Sequence, residues 1–409
     1  MNDADAQRVG AALSGLGFCG RAEPEEADLI VLITCVVRQS AEDKTIGRLE
    51  SLKGLKRRHP STMVAVMGCL VADPATLRER FPWVDGFFRP SDVDGLVDLV
   101  RQRFAPETAP ALPAERTPVS VSIPISMGCD HHCTYCIVRL RRGSQQSRPA
   151  GEILRETREA VQRGAREIVL LGQNVDAYGH DLPSQGLNLA GLLSQVHDTD
   201  GLLRLRFLTS HPGEMTEELI SAVAGLSRVC PHLELPVQCG DDVVLRRMGR
   251  GYTREQYSSL LSRIRQRVPG CSIATDIIVG FPTETREQFE ATADLVTAER
   301  FDSVHIAKYS PRPGTPAALL ADDVPQDEKE RRHRILEELQ TRISQEINST
   351  YMGRTVEVLV EGRHRGRWRG RSATNKLVFF DHDADWMGEL ASVEINWAGP
   401  WSLRGTVKG

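Results

Sequence analysis

The sequence predicts a mixed α/β chain in three parts: an open α/β domain, a partial barrel of six parallel strands with helices between them, and a small all-β barrel. Three observations predict it. Two continuous apolar runs lie near the start, at 28–33 and 63–67, each with the pattern of a strand buried on both faces. Six further strand-like runs alternate with helical stretches between residues 119 and 308. From about residue 350 the pattern turns to short alternating strands, beginning at 355–360.

Length and composition bound the reading. The chain has 409 residues, 40% hydrophobic and 26% charged, enough for two or three domains. A net charge of -4 excludes a globally basic nucleic-acid binder and leaves room for local basic patches. Nine unevenly spaced cysteines fit metal chemistry in a reducing cytosol better than a disulfide framework. A transmembrane span needs about 18 apolar residues in a row, and no such run occurs, so no membrane association is expected. Residues 1–5 have no signal-peptide character.

In chain order, residues 6–16 and 36–59 read as helices, the second rich in Lys and Arg. Each early strand runs straight into a cysteine, Thr34-Cys35 and Gly68-Cys69. Ligands of open α/β sheets bind at the carboxyl ends of strands, so Cys35 and Cys69 are candidates for one shared site; two buried core cysteines are the equal alternative. A Pro-rich linker with Pro106, Pro110, Pro113 and Pro118 follows. The expected domains are 1–105, a linker at 106–118, 119–347 with a trailing helix, and 348–409.

The barrel strands are expected at 119–126, 167–171, 203–207, 233–235, 272–279 and 303–308. The clearest helix, 152–165, carries Ile153, Leu154, Thr157, Ala160, Val161 and Ala165 on one face. Six strands fall short of the eight of a closed barrel and leave an open side for a large substrate. Barrel chemistry gathers at the carboxyl ends of strands, and all six ends here carry polar or Gly-rich tips: a cysteine loop, Gly172-Gln173-Asn174, Ser210-His211-Pro212, Pro236 to Gly240, Gly280-Phe281-Pro282-Thr283-Glu284, and Tyr309 to Thr315. One such tip is an ordinary loop, whereas six together argue a site.

The cysteine loop, Met127 to Cys136, holds Cys129, Cys133 and Cys136 at CxxxCxxC spacing. A four-iron cluster normally takes four thiolates. Three leave one iron open to chelate an amine and a carboxylate, as the methionine end of S-adenosylmethionine (SAM) offers. Structural zinc is the rival; it prefers four ligands, often as CxxC pairs, and no second pair follows.

Residues 327–347 form a charged helix with Ile335, Leu336, Leu339, Ile343 and Ile347 on one face, read as a packing helix. Beyond it Arg363, Arg365, Arg367, Arg369 and Arg371 stand at every second position, with Trp368 among them. On one strand that period puts all five arginines on one face. A polyphosphate is the natural partner for such a row, with Trp368 stacking on a base or packing behind it. A solvated surface strand is the alternative.

These residues carry a family resemblance. The three-cysteine loop resembles that of radical SAM enzymes, and its surroundings through Ser147-Arg148-Pro149 resemble the methylthiotransferases. Gly172 to Gly179 looks most like the tRNA-2-methylthio-N6-dimethylallyladenosine synthases. Residues 27–35 and 64–69 are similar to the amino-terminal domain of that family, and 348–409 to its RNA-binding TRAM barrel.

The resemblance implies two four-iron clusters and SAM. One cluster would sit on Cys129, Cys133 and Cys136. The other would sit on Cys35 and Cys69, with a third cysteine and a first strand that the family has and that this sequence lacks; Cys19 lies in the wrong place to serve. SAM contacts are expected near Gly172, Gln173, Gly280, Phe281 and Pro282, with Glu234 or Gln238 near the ribose. The implied reaction adds a methylthio group to C2 of N6-dimethylallyladenosine at position 37 of tRNA, in the cytoplasm, by a monomer that binds the anticodon stem-loop and meets sulfur-donor and electron-donor proteins. Three departures from the family pattern stand out: Cys239 for a usual serine, Arg139 for a proline, Gln145 for a glutamate. Two rivals remain: a radical SAM enzyme for another modified adenosine or a protein side chain, and a non-enzymatic iron–sulfur RNA-binding sensor.

Overall fold

The computed structural model describes residues 2–34, 39–104, 117–182 and 186–408. Cys35 and most of the Pro-rich linker lie outside them. Two compact units emerge: Met1–Glu115 with Ile137–Ser144, and Arg116–Cys136 with Gln145–Gly409. The barrel and the carboxyl-terminal strands thus share one unit.

The first unit contains α1 (Asn2–Gly15), β1 (Leu29–Thr34), α2 (Gln39–Arg58), β2 (Met63–Gly68), α3 (Pro74–Arg80), β3 (Gly86–Phe88) and α4 (Val93–Phe104), and the short helix α5 (Val138–Arg142) joins it. The strands form a parallel sheet in the order β1-β2-β3. The central strand is buried throughout because helices cover both faces. Val64 and Val66 pack with Leu49, Leu52 and Phe81 on one side, and Met63, Ala65 and Met67 with Val9, Leu96 and Val100 on the other. The ends of β1 and β2 are tied together: the Thr34 hydroxyl donates to the Met67 carbonyl (3.0 Å) and accepts from the Leu70 N–H (3.2 Å). Gly68 permits this approach, since a Cβ there would stand 2.5 Å from the Thr34 carbonyl oxygen.

The second unit starts with β4 (Ser120–Pro124), β5 (Ser126–Met127), β6 (Gln146–Ser147), α6 (Ala150–Gln162), β7 (Glu167–Leu171), α7 (Leu189–His197), β8 (Arg204–Leu208), α8 (Glu217–Gly225), β9 (His232–Glu234), α9 (Asp242–Arg247), α10 (Arg254–Arg267), β10 (Ser272–Val279), α11 (Arg286–Glu299), β11 (Ser303–Lys308) and α12 (Gln326–Ser349). Two parallel sheets, β4-β7-β8 and β9-β10-β11, continue into each other through backbone bonds from Leu205 N–H to Arg228, from Cys230 N–H to Leu205, and from Ser210 N–H to Glu234. Together they make the partial six-stranded barrel. Every residue of β7 is buried, and α6 turns Ile153, Thr157, Ala160 and Val161 inward. Capping boxes at Thr253/Gln256 and Thr285/Gln288 fix the starts of α10 and α11. The packing helix α12 buries Leu336 and Ile343, and with them Lys329, Arg332, Gln340 and Asn348.

The remaining strands, β12 (Thr355–His364), β13 (Arg367–Ser372), β14 (Leu377–Phe380), β15 (Leu390–Ala398) and β16 (Leu403–Val407), close into a barrel in the order β12-β13-β14-β16-β15. This corrects the single-strand reading of the arginine row. Arg363 is the penultimate residue of β12, Arg365 sits in the turn with Gly366, both at positive φ, and Arg367, Arg369 and Arg371 lie on the returning strand β13. The chain reverses at Gly366 because closing the barrel requires it.

The small barrel docks on the amino-terminal ends of the six-stranded sheet. Arg206 donates to the carbonyls of Ser372 (2.7 Å) and Ala373 (2.9 Å) while pairing with Glu167 (2.7 Å), and both charges are buried. Arg204 reaches the carbonyl of Glu357 (3.1 Å), the Ser272 hydroxyl that of Thr374 (2.9 Å), and Lys376 pairs with Asp302 (2.7 Å). At the end of α12, Asn348 donates to the Gly399 carbonyl (2.7 Å). Among the described residues no helix is long and apolar enough to cross a membrane.

Candidate active site at the barrel mouth

Cys129, Cys133 and Cys136 lie on the loop after β5, at the carboxyl end of the first barrel strand, and each is a half-buried thiol outside any disulfide. The antiparallel pair of β5 with β6 closes the base of this excursion. The residues after α9 clamp it. Thr134 N–H donates to the Met248 carbonyl (3.0 Å) and the Thr134 hydroxyl to that of Arg247 (2.8 Å), while Ala317 N–H donates to the Thr134 carbonyl (2.9 Å). Gly249, at φ +71°, lets this clamp close, for a Cβ there would stand 3.0 Å from the His132 carbonyl oxygen. The Arg250 guanidinium donates to the Cys133 sulfur at 3.3 Å.

A polar cluster flanks the loop. His131 Nε2 lies 2.8 Å from Glu214 Oε1. Glu214 Oε2 accepts from the Asn174 amide (2.6 Å), and the His131 ring stacks on His211 at 3.8 Å between centroids. Burial works against the Glu214 charge, but the bonds from His131 and Asn174 outweigh it and hold the carboxyl below its usual range. Asp176 accepts from the Ser210 hydroxyl (2.8 Å) and the His211 N–H (3.0 Å); full burial still pushes its carboxyl up to about 7. Burial, with Arg250 and His131 near, pushes the His211 imidazole down to about 3. Beside this cluster lies a cavity of ≈ 290 Å³ lined by Asp130, His131, Asn174, His180, Asp181 and Glu214. The Asn174 side-chain oxygen, Oδ1, is buried there without a hydrogen-bond partner.

The remaining predicted residues fall as follows. Gly172 and Gln173 follow β7; Gly172 packs against Ser126, where a Cβ would stand 2.6 Å from the hydroxyl oxygen. Gln238 is buried at φ +75°, with its backbone bonded to Asp276 and Ile278. Burial, then Asp276, raises the Glu234 carboxyl. The Gly280 N–H is already taken by Glu284 Oε2 (2.6 Å), and Phe281 is fully buried against Tyr309. Gln145 is buried with its amide on the Ala177 carbonyl (2.6 Å), and Cys239 is buried beside Thr292 with its thiol pushed up to about 12. In the first unit Cys69 accepts from the Arg142 Nε–H at 3.3 Å, and Cys19 is exposed.

Trp368 is not placed to stack on a base. It is 4% exposed, its indole N–H donates to the carbonyls of His382 and Ala384, and Arg363 covers its ring at 4.1 Å. The exposed aromatics of this barrel are Trp397 and Trp401, with Arg404 lying 4.4 Å over Trp397. Sequence reasoning passed over them, as it did Asp176, Glu214 and Arg250. The polar strand tips flagged the neighbourhood of the last three; nothing local flagged their pairing.

The thiols suit an iron–sulfur group. Burial first, then the charges of Cys133, Glu214 and Asp130, push the Cys129 thiol up, so it is a poor thiolate alone. A cationic metal core reverses that balance by deprotonating the sulfurs it binds. Among the described residues no three His, Cys, Asp or Glu groups converge as a single metal ion needs, whereas the ligands of a cluster each bind a different iron.

Three family models match the chain: the radical SAM superfamily at residues 123–296, uncharacterized protein family UPF0004 at 1–89 and the TRAM domain at 349–408. Curated relatives match over the whole length. The tRNA-2-methylthio-N(6)-dimethylallyladenosine synthase of Roseiflexus sp. (strain RS-1) is 50% identical, covering 100% of this chain and 87% of its own. That of Chloroflexus aurantiacus is 49% identical (99% and 89%), and that of Carboxydothermus hydrogenoformans 40% (100% and 97%). Among solved structures, the radical S-adenosylmethionine methyltransferase TsrM of Kitasatospora setae aligns with a TM-score of 0.54 at 14% identity, over 76% of this chain and 68% of that one, a likeness of fold alone. Three thiols on one clamped loop, a partial parallel barrel and full-length relatives agree: the chain belongs to the tRNA-2-methylthio-N(6)-dimethylallyladenosine synthase family.

Proposed function

We infer that this chain is a radical SAM methylthiotransferase that adds a methylthio group to C2 of N6-dimethylallyladenosine at position 37 of tRNA. The observation that carries the reading is the loop of Cys129, Cys133 and Cys136, clamped at the carboxyl end of the first barrel strand beside a polar cavity. These three cysteines would hold a four-iron cluster that, with SAM bound, supplies the radical chemistry an aromatic C–H bond demands. The chain's own residues set the stage. Thr134, Gly249 and Arg250 fix the loop, and His131, Asn174 and Glu214 line the cavity with hydrogen-bonding groups in fixed orientations. Gly172, Gln173, Glu234 and Gln238, at the ends of β7 and β9, are the proposed SAM neighbours.

Cys35 and Cys69 are two of the thiols that a second cluster would use. Of the two, only Cys69 lies within the described residues. RNA would be gripped by charge at the exposed tip of the β12–β13 hairpin, Arg363, Arg365, Arg367 and Arg369, with Trp397 and Trp401 as exposed stacking surfaces. The protein would work as a cytoplasmic monomer served by sulfur-donor and electron-donor proteins.

The test is mass spectrometry of tRNA nucleosides from cells with the gene, without it, and with it restored. The 2-methylthio form should disappear and return while N6-dimethylallyladenosine accumulates in the deletion. An unchanged nucleoside profile would overturn the reading.

A further inference from the structure

We propose that Arg250 is a positioning residue that sets the reduction potential of the iron–sulfur group on Cys129, Cys133 and Cys136; the proposal rests on the function inferred above. Arg250 is 6% exposed, and its guanidinium is held at three corners. Nε donates to the Tyr252 hydroxyl oxygen (2.8 Å), one terminal nitrogen to the Pro236 carbonyl (2.8 Å), and the other to the Cys133 sulfur (3.3 Å). Tyr252 is fixed in turn, donating to the carbonyls of Pro236 and Val237.

The partner set is unusual for a buried cation. Among the described residues no carboxylate lies within ion-pair distance of Arg250, although charges are almost never fully buried unless paired. Two of its three acceptors are neutral oxygens, and only the Cys133 sulfur becomes anionic, when it ligates iron. The guanidinium is therefore installed for a charged sulfur. Its neighbour Gly249 brings the chain close enough for this contact, which spans 117 positions of sequence.

Hydrogen bonds to cluster sulfurs and nearby charge are established determinants of cluster potential. One electron from a low-potential one-electron donor adds one negative charge, moves no atoms, and spreads that charge partly onto the sulfur ligands. A fixed cation 3.3 Å from one of them favours the reduced state. A merely structural tie between residue 250 and the end of β9 makes no such demand.

The experiment uses full-length, anaerobically reconstituted protein, with iron and sulfide measured and EPR-monitored reductive titration in the absence of SAM and RNA. Arg250→Gln should lower the ratio of reduced to oxidised cluster at a fixed poise by about tenfold, equivalent to about 59 mV for one electron. Arg250→Lys, which keeps the charge on a flexible stem, should fall between it and the wild type. Tyr252→Phe keeps the guanidinium and should stay close to the wild type. A second arm needs no variant: wild-type protein carrying ¹⁵N-arginine should show a weak ¹⁵N coupling in pulsed EPR of the reduced cluster. A wild-type potential in an iron-replete Arg250→Gln protein, or no ¹⁵N coupling, overturns the proposal and leaves the inferred function standing. A wild-type protein that holds no reducible cluster and releases no deoxyadenosine from SAM overturns both.

Discussion

Asp176 gives a prediction with a calculable size. Its carboxyl is buried, sits at about 7 against an ordinary 3.8, and accepts two bonds, from Ser210 and His211. Between those values the native state holds a proton that the unfolded chain has released, so the contribution is fully present at low pH and is lost as pH rises to 7. Taking 1.36 kcal/mol per pH unit, with the slope halved where Asp176 itself titrates, the loss from pH 5 to 7 is about 2 kcal/mol. His211 runs the other way. Its imidazole is held neutral down to about 3 against an ordinary 6.5, so its contribution is present above 6.5 and fades as pH falls. From pH 5 to 6.5 that is a gain of about 2 kcal/mol. The two nearly cancel in the wild type, whose local stability should change by less than about 1 kcal/mol across the window. Asp176→Asn keeps both hydrogen bonds, since the amide oxygen accepts from His211 N–H and the NH₂ donates to the Ser210 oxygen. With Asp176 silenced, local stability should instead rise by about 2 kcal/mol. Native-state hydrogen exchange, corrected for intrinsic rates and read on peptides covering 167–179 and 204–215, reports it. A difference between variant and wild type that stays constant from pH 5 to 7 would refute the reasoning.

Four further outcomes are expected. Alanine at Cys129, Cys133 or Cys136 should each abolish deoxyadenosine release from SAM by reconstituted protein; wild-type turnover in any one would exclude that cysteine as a ligand. Arg206→Met leaves the buried Glu167 charge unpaired, at a cost of about 3–5 kcal/mol, and should free residues 350–409 to limited proteolysis, with Glu167→Gln partly restoring protection. Gly249→Ala forces a side chain onto φ +71° against the His132 carbonyl; it should destabilise by about 1–2 kcal/mol and reduce iron retained per chain. Changing Arg363, Arg365 and Arg367 together to Gln should flatten the log–log salt dependence of anticodon stem-loop binding by about 2 to 3; an unchanged slope would mean the hairpin tip is only solvated.

The barrel was legible because parallel strands are buried on both faces and read as unbroken apolar runs. The run 167–171 is such a strand and coincides with β7; 272–279, interrupted by Thr275 and Asp276, and 303–308, which alternates on an exposed edge, coincide with β10 and β11 all the same. The arginine row misled because a period of two is the same on one strand as on a tight hairpin; Gly366, halfway along, was the one cue. Trp368 looked available among arginines, yet on β13 it alternates with them and so points into the barrel. On α12 the apolar face was visible, while buried Arg332, Gln340 and Asn348 were not. Such side chains are ordinarily exposed, and they go inside here because Glu284, the Phe301 carbonyl and the Gly399 carbonyl wait for them. The cysteine loop is local and could be read directly. Arg250 against Cys133 and Glu214 against His131 join distant segments, and no local pattern encodes such pairings.

The second unit is divided along its strands. Arg204, Arg206 and Lys376 fasten the small barrel to the amino-terminal ends of the six-stranded sheet, whereas the cysteine loop and its polar cavity sit at the carboxyl ends. Strands of five to eight residues separate these ends by roughly 20 Å. The buried ion pair of Arg206 with Glu167 fixes the small barrel rather than leaving it tethered, because releasing it strands a charge. On the proposed function, RNA held on that barrel would meet the cysteine loop only by spanning the length of the sheet. Recognition at one end and chemistry at the other would then be coupled through the strands, with the buried pair of Arg206 and Glu167 holding the two ends in fixed relation.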